Sequence, residues 1–78
     1  MEKNQIVQII ADNVRSIINN EGISITTLAR RCKVSTGTIS KIINAQMSIT
    51  IPMAMTVAAG LNINLYELMK GLTDPIEP

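Results

Sequence analysis

The sequence predicts an all-α protein built as a compact set of five short helices. Three observations carry this expectation. Apolar residues recur with a period near 3.6, and strand-type alternation is weak. Ser24, Ser35, Thr50 and Asn64 each stand before a periodic segment, and their side-chain oxygens suit a helix start. The hydrophobic share, 46%, is almost all Ile, Leu, Val, Met and Ala, with Tyr66 the single aromatic residue. At 78 residues the chain makes one domain. A domain of this size buries only about 60% of its unfolded surface, so its core must be efficient. Branched aliphatics without Phe or Trp suit short helices packed closely together.

The first helix is expected from about Gln5 to Asn19. Ile6, Val7, Ile10, Val14, Ile17 and Ile18 share one stripe, with Asp12, Asn13, Arg15 and Ser16 away from it. Gly22 ends it as a left-handed cap. The second helix, about Ile25 to Cys32, groups Ile25, Leu28, Ala29 and Cys32 on one arc and Thr26, Thr27, Arg30 and Arg31 on the other. The third, about Thr36 to Asn44, sets Ile39, Ile42 and Ile43 against a polar face of Thr36, Gly37, Ser40, Lys41 and Asn44. The fourth follows Thr50, tolerates Pro52 in its first turn, buries Met53, Ala54, Val57, Ala58 and Leu61, and closes at Asn62 in a left-handed conformation. The fifth follows Asn64, with Glu67 placed as in a capping box, packs Leu65, Leu68 and Met69 inward, and closes at Gly71. Residues 1–72 read as the folded domain. The tail 73–78, with Pro75 and Pro78, reads as flexible.

Composition sets several classes aside. With no His and one Cys, Cys32, a structural zinc lacks its ligands and no internal disulfide can form. Cys32 reads as a small core residue. No apolar run approaches the roughly 20 residues of a membrane span. Met1-Glu2-Lys3-Asn4-Gln5 lacks the basic-then-apolar order of a signal peptide. These features point to the cytoplasm and to no membrane partner. No nucleophile–base pair and no phosphate-binding glycine loop is present, so an enzyme is not expected, nor a cofactor or small-molecule ligand.

Charge is informative in its distribution. The net charge is +1, yet between Gly22 and Tyr66 lie Arg30, Arg31, Lys33 and Lys41 and no acidic residue. An exposed helix face usually carries Glu and Lys in i, i+4 pairs. The polar face of the third helix carries none, which suits a surface that meets an anion.

Only Lys33 and Val34 separate the second helix from the Ser35 cap. Two short helices with so tight a link cannot lie antiparallel and must cross steeply. Val34 reads as the apolar plug between them, and the small Ala29 lets the helices approach.

From Ile23 to Ile42 the chain reads Ile-Ser-Ile-Thr-Thr-Leu-Ala-Arg-Arg-Cys-Lys-Val-Ser-Thr-Gly-Thr-Ile-Ser-Lys-Ile, and from Gly60 to Leu68 Gly-Leu-Asn-Ile-Asn-Leu-Tyr-Glu-Leu. In the order and spacing of Leu28-Ala29, Val34-Ser35 and Thr38-Ile39-Ser40-Lys41, and in the flanking helices, this resembles the lambda-repressor-like helix-turn-helix family over about Val14 to Met69. That family includes phage Cro and repressor proteins and many small bacterial regulators. The chain departs from its pattern twice. A Gln often opens the second helix where this chain has Ile25, and a Gly often occupies the turn where it has Lys33. A left-handed Lys33 costs roughly 1 kcal/mol relative to Gly.

The resemblance implies a sequence-specific transcriptional regulator whose third helix enters the major groove of an operator in double-stranded DNA. By that likeness Thr36, Gly37 and Lys41 match base-facing positions, with Thr38, Ser40 and Asn44 beside them. The helix starts at Ser24 and Ser35 suit phosphates, Thr26 and Thr27 can add hydroxyl contacts, and Arg30 or Lys33 long-range charge. Proteins of this kind dimerise on two half-sites about 34 Å apart. Met55, Ile63, Tyr66, Met69, Leu72 and the tail are candidates for a homodimer surface. Such a dimer looks like a small Cro-type repressor or a restriction-modification controller. The alternative is a protein-interaction module, an antitoxin or adaptor, using the same fold.

Overall fold

A computed structural model describes residues 3–71, and its elements are five α-helices: α1 Lys3–Glu21, α2 Ile25–Cys32, α3 Thr36–Ile43, α4 Ile51–Gly60 and α5 Leu65–Leu68. Leu72 and the tail 73–78 lie outside the described residues.

Each helix after the first starts in the same way. Ser24, Ser35, Thr50 and Asn64 are extended, and their side-chain oxygens accept from the amides of Thr27, Thr38, Met53 and Glu67. This satisfies one of the amides a helix start leaves unpaired. At Asn64 the bond uses the backbone of Glu67, at 3.1 Å.

The helix ends are equally uniform. Gly22, Lys33, Ala45 and Asn62 all take left-handed backbone, with φ of 67°, 58°, 56° and 58°. After each of them the next amide returns to a carbonyl five residues back: Ile23 to Ile18, Val34 to Ala29, Gln46 to Lys41 and Ile63 to Ala58. A left-handed residue at this position satisfies the orphan carbonyls of the last turn. The helix α1 runs two residues beyond the expected Asn19, up to the left-handed Gly22. The left-handed Ala45 was not legible, since Ala has no bias toward that region and carries a cost of roughly 1 kcal/mol there.

The main packing contacts form a closed circuit, α1 on α3, α3 on α2, α2 on α4, α4 on α5 and α5 back on α1. The largest fully buried side chains are Val14, Leu28, Ile39, Val57, Leu61 and Leu68, so every helix sends a residue to the centre. Ala11 is fully buried too. The loop from α3 to α4 alternates, with Met47 and Ile49 packed against the core and Gln46, Ser48 and Thr50 exposed.

Two polar residues of α1 that the sequence sets on the outer face instead join helices. Asn13 donates to the carbonyls of Leu68 and Lys70, at 2.9 and 2.7 Å. These bonds hold the end of α5, which is a single turn closed at Met69 rather than at Gly71. Arg15 donates to the carbonyl of Ile43 at the end of α3. No buried side-chain nitrogen or oxygen among the described residues lacks a partner.

The helices α2 and α4 approach closely at Gly60. A Cβ placed on the buried Gly60 would stand 2.6 Å from Cys32 Sγ and 3.4 Å from Leu28 Cδ1. The thiol of Cys32 in turn faces the carbonyl of Thr56 at 3.6 Å. Burial raises the pKa of this thiol, so it stays protonated at neutral pH and serves as a packing group. A Gly60→Ala substitution gains helix propensity of about 1 kcal/mol but overpacks the crossing by about 1–3 kcal/mol. Urea unfolding should show a net loss, and the same substitution in a Cys32→Ala background should cost distinctly less. Equal costs in the two backgrounds would remove the clash as the cause.

Candidate nucleic-acid interface

The helices α2 and α3 are set by the turn Lys33-Val34-Ser35. Lys33 has φ 58° and ψ 40°, which reverses the chain as α2 ends. Val34 follows, half-buried against the core, and Ser35 opens α3. Leu28, Ala29 and Cys32 of α2 and Ile39 and Ile42 of α3 are buried. Fixing these inward faces leaves the opposite face of α3 outward.

The expected site residues divide into two groups. Ser24 and Thr27 pair with each other: Ser24 Oγ accepts from the Thr27 amide at 3.0 Å and donates to Thr27 Oγ1 at 2.9 Å. Ser35 and Thr38 repeat the arrangement, at 3.1 Å from the amide and 2.9 Å between hydroxyls. Thr27 and Thr38 are half-buried, and their hydroxyls are spent on the helix starts. These four residues thus preorganise the interface. Thr26, Thr36, Gly37, Lys41 and Asn44 are exposed and face outward. Ser40 is half-buried and accepts from Asn44 Nδ2 at 3.3 Å, so Asn44 lies back along its own helix.

Each cap takes the third amide of its helix, and the Ser24 and Ser35 carbonyls take the next: Leu28 donates to Ser24 at 3.0 Å and Ile39 to Ser35 at 3.3 Å. Among the described residues that leaves two adjacent amides without a partner at the start of each helix, Ile25 and Thr26 on α2 and Thr36 and Gly37 on α3, at the positive end of the helix dipole. Gly37 adds no Cβ in front of its amide, and an added one would meet only Ser35 Oγ, at 3.8 Å. The absent Gln at the start of α2 is replaced by Ile25, which packs against the core.

Basic side chains border this surface. Arg30, Lys33 and Lys41 are exposed. Arg31, also exposed, reaches the carbonyl of Gly60 at 3.4 Å and so ties α2 to the end of α4. Asn13 and Arg15, which hold α5 and α3 from α1, were missed by sequence reasoning. Their only signal was a polar residue beside an apolar stripe, which solvated positions share.

Because Ser35 is both a cap and a border of the candidate surface, two substitutions separate its roles. Ser35→Ala should cost about 1 kcal/mol in urea or thermal unfolding. Ser35→Asp, an equally good cap, should keep stability near wild type. An undiminished Ser35→Ala protein would remove the cap as a contributor.

Comparison with known proteins agrees with this architecture. A helix-turn-helix family model, HTH_3, matches residues 14–68. No curated protein sequence is significantly similar to the chain. Three solved structures share the fold. A hypothetical transcription factor, NHTF, from Neisseria has a TM-score of 0.79 at 25% identity, over 88% of this chain and 79% of that one. An HTH_3 family transcriptional regulator from Vibrio cholerae has a TM-score of 0.83 at 21% identity, over 86% of this chain and 38% of that one. The restriction-modification controller protein C.AhdI from Aeromonas hydrophila has a TM-score of 0.76 at 19% identity, over 80% of this chain and 94% of that one. With α2 and α3 inside the matched segment, which spans most of the chain, the chain belongs to the HTH_3 family of Cro/C1-type helix-turn-helix DNA-binding regulators.

Proposed function

We propose that this chain is a cytoplasmic, operator-binding transcriptional regulator, a small repressor of the Cro kind, that inserts α3 into the major groove as a homodimer. The observation that carries this reading is the outward face of α3. It holds Thr36, Gly37 and Lys41, contains no carboxylate, and begins with two unpaired amides. The start of α2, the helix before it in the chain, presents a second pair of amides. Phosphates on those amides would position the domain, while side chains of α3 meet base edges. Lys41 can donate to guanine O6 or N7, and the Thr36 methyl can touch a thymine methyl. Gly37 lets the backbone come close. A regulator seated on an operator excludes polymerase, and this step needs no catalytic group.

The homodimer rests on a second observation. Ile51, Met55 and Tyr66 are 57%, 58% and 57% exposed, unusual for large apolar side chains. Ile51 and Met55 stand one turn apart on α4, and Tyr66 is on α5, which packs against α4. Ile63 and Met69, also considered from the sequence, are half-buried against the core and have less surface to offer. A second copy seated on α4 and α5 would bury this patch and present two α3 helices to half-sites about 34 Å apart.

Fluorescence anisotropy tests the DNA reading, using the upstream region of the chain's own gene and a random duplex at two salt concentrations. Wild type should bind the upstream region tightly with a steep salt dependence. Lys41→Ala should lose about tenfold or more on that duplex, as expected for a lost base contact, and little on the random one. Equal weak binding to both duplexes, untouched by Lys41→Ala, would favour the protein-interaction module instead. Sedimentation tests the dimer: Met55→Lys with Tyr66→Lys should shift a wild-type dimer to monomer without unfolding it. A wild-type chain that is monomeric both free and on DNA would overturn the dimer.

A further inference from the structure

The last turn of α3 is completed from another helix. Its final carbonyls each find a donor. Ser40 accepts from the amide of Asn44, Lys41 from Gln46 and Ile42 from Ala45, at 3.1, 2.8 and 3.1 Å. The Ile43 carbonyl, last in line, receives the guanidinium of Arg15 on α1. A cation at this end also complements the negative pole of the helix dipole. Arg15 is exposed, while Val14 and Ile18 of the same helix are buried in the core, so the clamp is anchored by a rigid element. The turn it closes is strained, because Ala45 holds a left-handed backbone. That same turn carries Lys41 and Asn44, the latter bonded to Ser40 Oγ.

We propose that Arg15 is a positioning residue. Through the Ile43 carbonyl it fixes the C-terminal turn of α3, and so sets sequence discrimination by Lys41 without itself touching DNA. The inference rests on the reading of α3 as the DNA-reading helix. Discrimination depends on holding a donor against a base edge in one geometry, and a frayed last turn lets that donor swing. The helix starts of α2 and α3, where phosphates would bind, lie at the other end and are unaffected. Loss of Arg15 should therefore lower specific binding and leave nonspecific binding in place.

Arg15→Gln removes the charge, and Arg15→Lys keeps it. Two measurements decide. Amide hydrogen exchange on the free protein should show Ala45 and Gln46 exchanging about fivefold faster or more in Arg15→Gln, with α2 amides unchanged. Anisotropy would use a duplex enriched by wild type from a random library and a scrambled version of it. The ratio of the two affinities should fall roughly fivefold to tenfold in Arg15→Gln, and Arg15→Lys should recover most of it. The salt dependence should stay as in wild type. An equal loss on both duplexes with a salt slope shallower by about one would make Arg15 a phosphate contact and overturn the proposal. Faster exchange throughout the protein with an unchanged ratio would reduce it to a general stability role and overturn it as well. Unchanged exchange at Ala45 and Gln46 would overturn the clamp whatever the DNA shows. A wild-type protein that enriches no duplex would instead overturn the reading of α3 itself.

Discussion

The rest of this fold depends on one turn, used three times. A left-handed residue ends a helix, an apolar residue follows it into the core, and a side-chain cap opens the next helix. Gly22-Ile23-Ser24 joins α1 to α2, Lys33-Val34-Ser35 joins α2 to α3, and Asn62-Ile63-Asn64 joins α4 to α5. Each turn satisfies the last carbonyls of one helix and the third amide of the next within three residues. So short a link leaves the joined helices no freedom to lie alongside each other, and they must cross. The middle turn is the one that aims α3, and the apolar Val34 keys it to the core.

Packing then converts three local turns into one object. Each helix sends a fully buried side chain to a common centre, so removing any one of them leaves a cavity the others cannot fill. Gly60 and Cys32 mark the place where this demand is sharpest. There α2 and α4 come close enough that a single added methyl meets the thiol. The helix that supports α3 is thus held on its far side by α4, through a contact that depends on two small residues.

Polar groups follow a similar division of labour. The hydroxyls of Ser24, Thr27, Ser35 and Thr38 are consumed within the two helix starts, which makes those starts stiff. What they leave over, two adjacent amides on each helix, lies at the positive end of its dipole. An anion bound there pays little ordering cost, since the donors are already in place. Longer side chains, Arg30, Lys33 and Lys41, add charge around this frame, while Arg15, Arg31 and Asn13 turn their donors to helix ends within the protein.

The sequence by itself determined the helices, their starts, most of their ends and the outward face of α3. Those features rest on interactions between residues a few positions apart: Ser35 caps because Thr38 is three residues on, and Ile39 and Ile42 face inward because they share one helical arc. The left-handed Asn62 was legible in the same way, from the bias of Asn, whereas Lys33 stood out only as a departure from the Gly that resembling turns carry there. Only the tertiary structure decided the left-handed Ala45, the buried Gly60 beneath Cys32, the closing of α5 at Met69 and the use of Asn13 and Arg15 as clamps. Each of these joins residues far apart in the chain, or a residue whose type carries no conformational bias. Local periodicity records which face of a helix is apolar. It does not record which partner lies against that face, nor which exposed-looking polar residue will find an unpaired carbonyl at the end of a helix it meets only after folding.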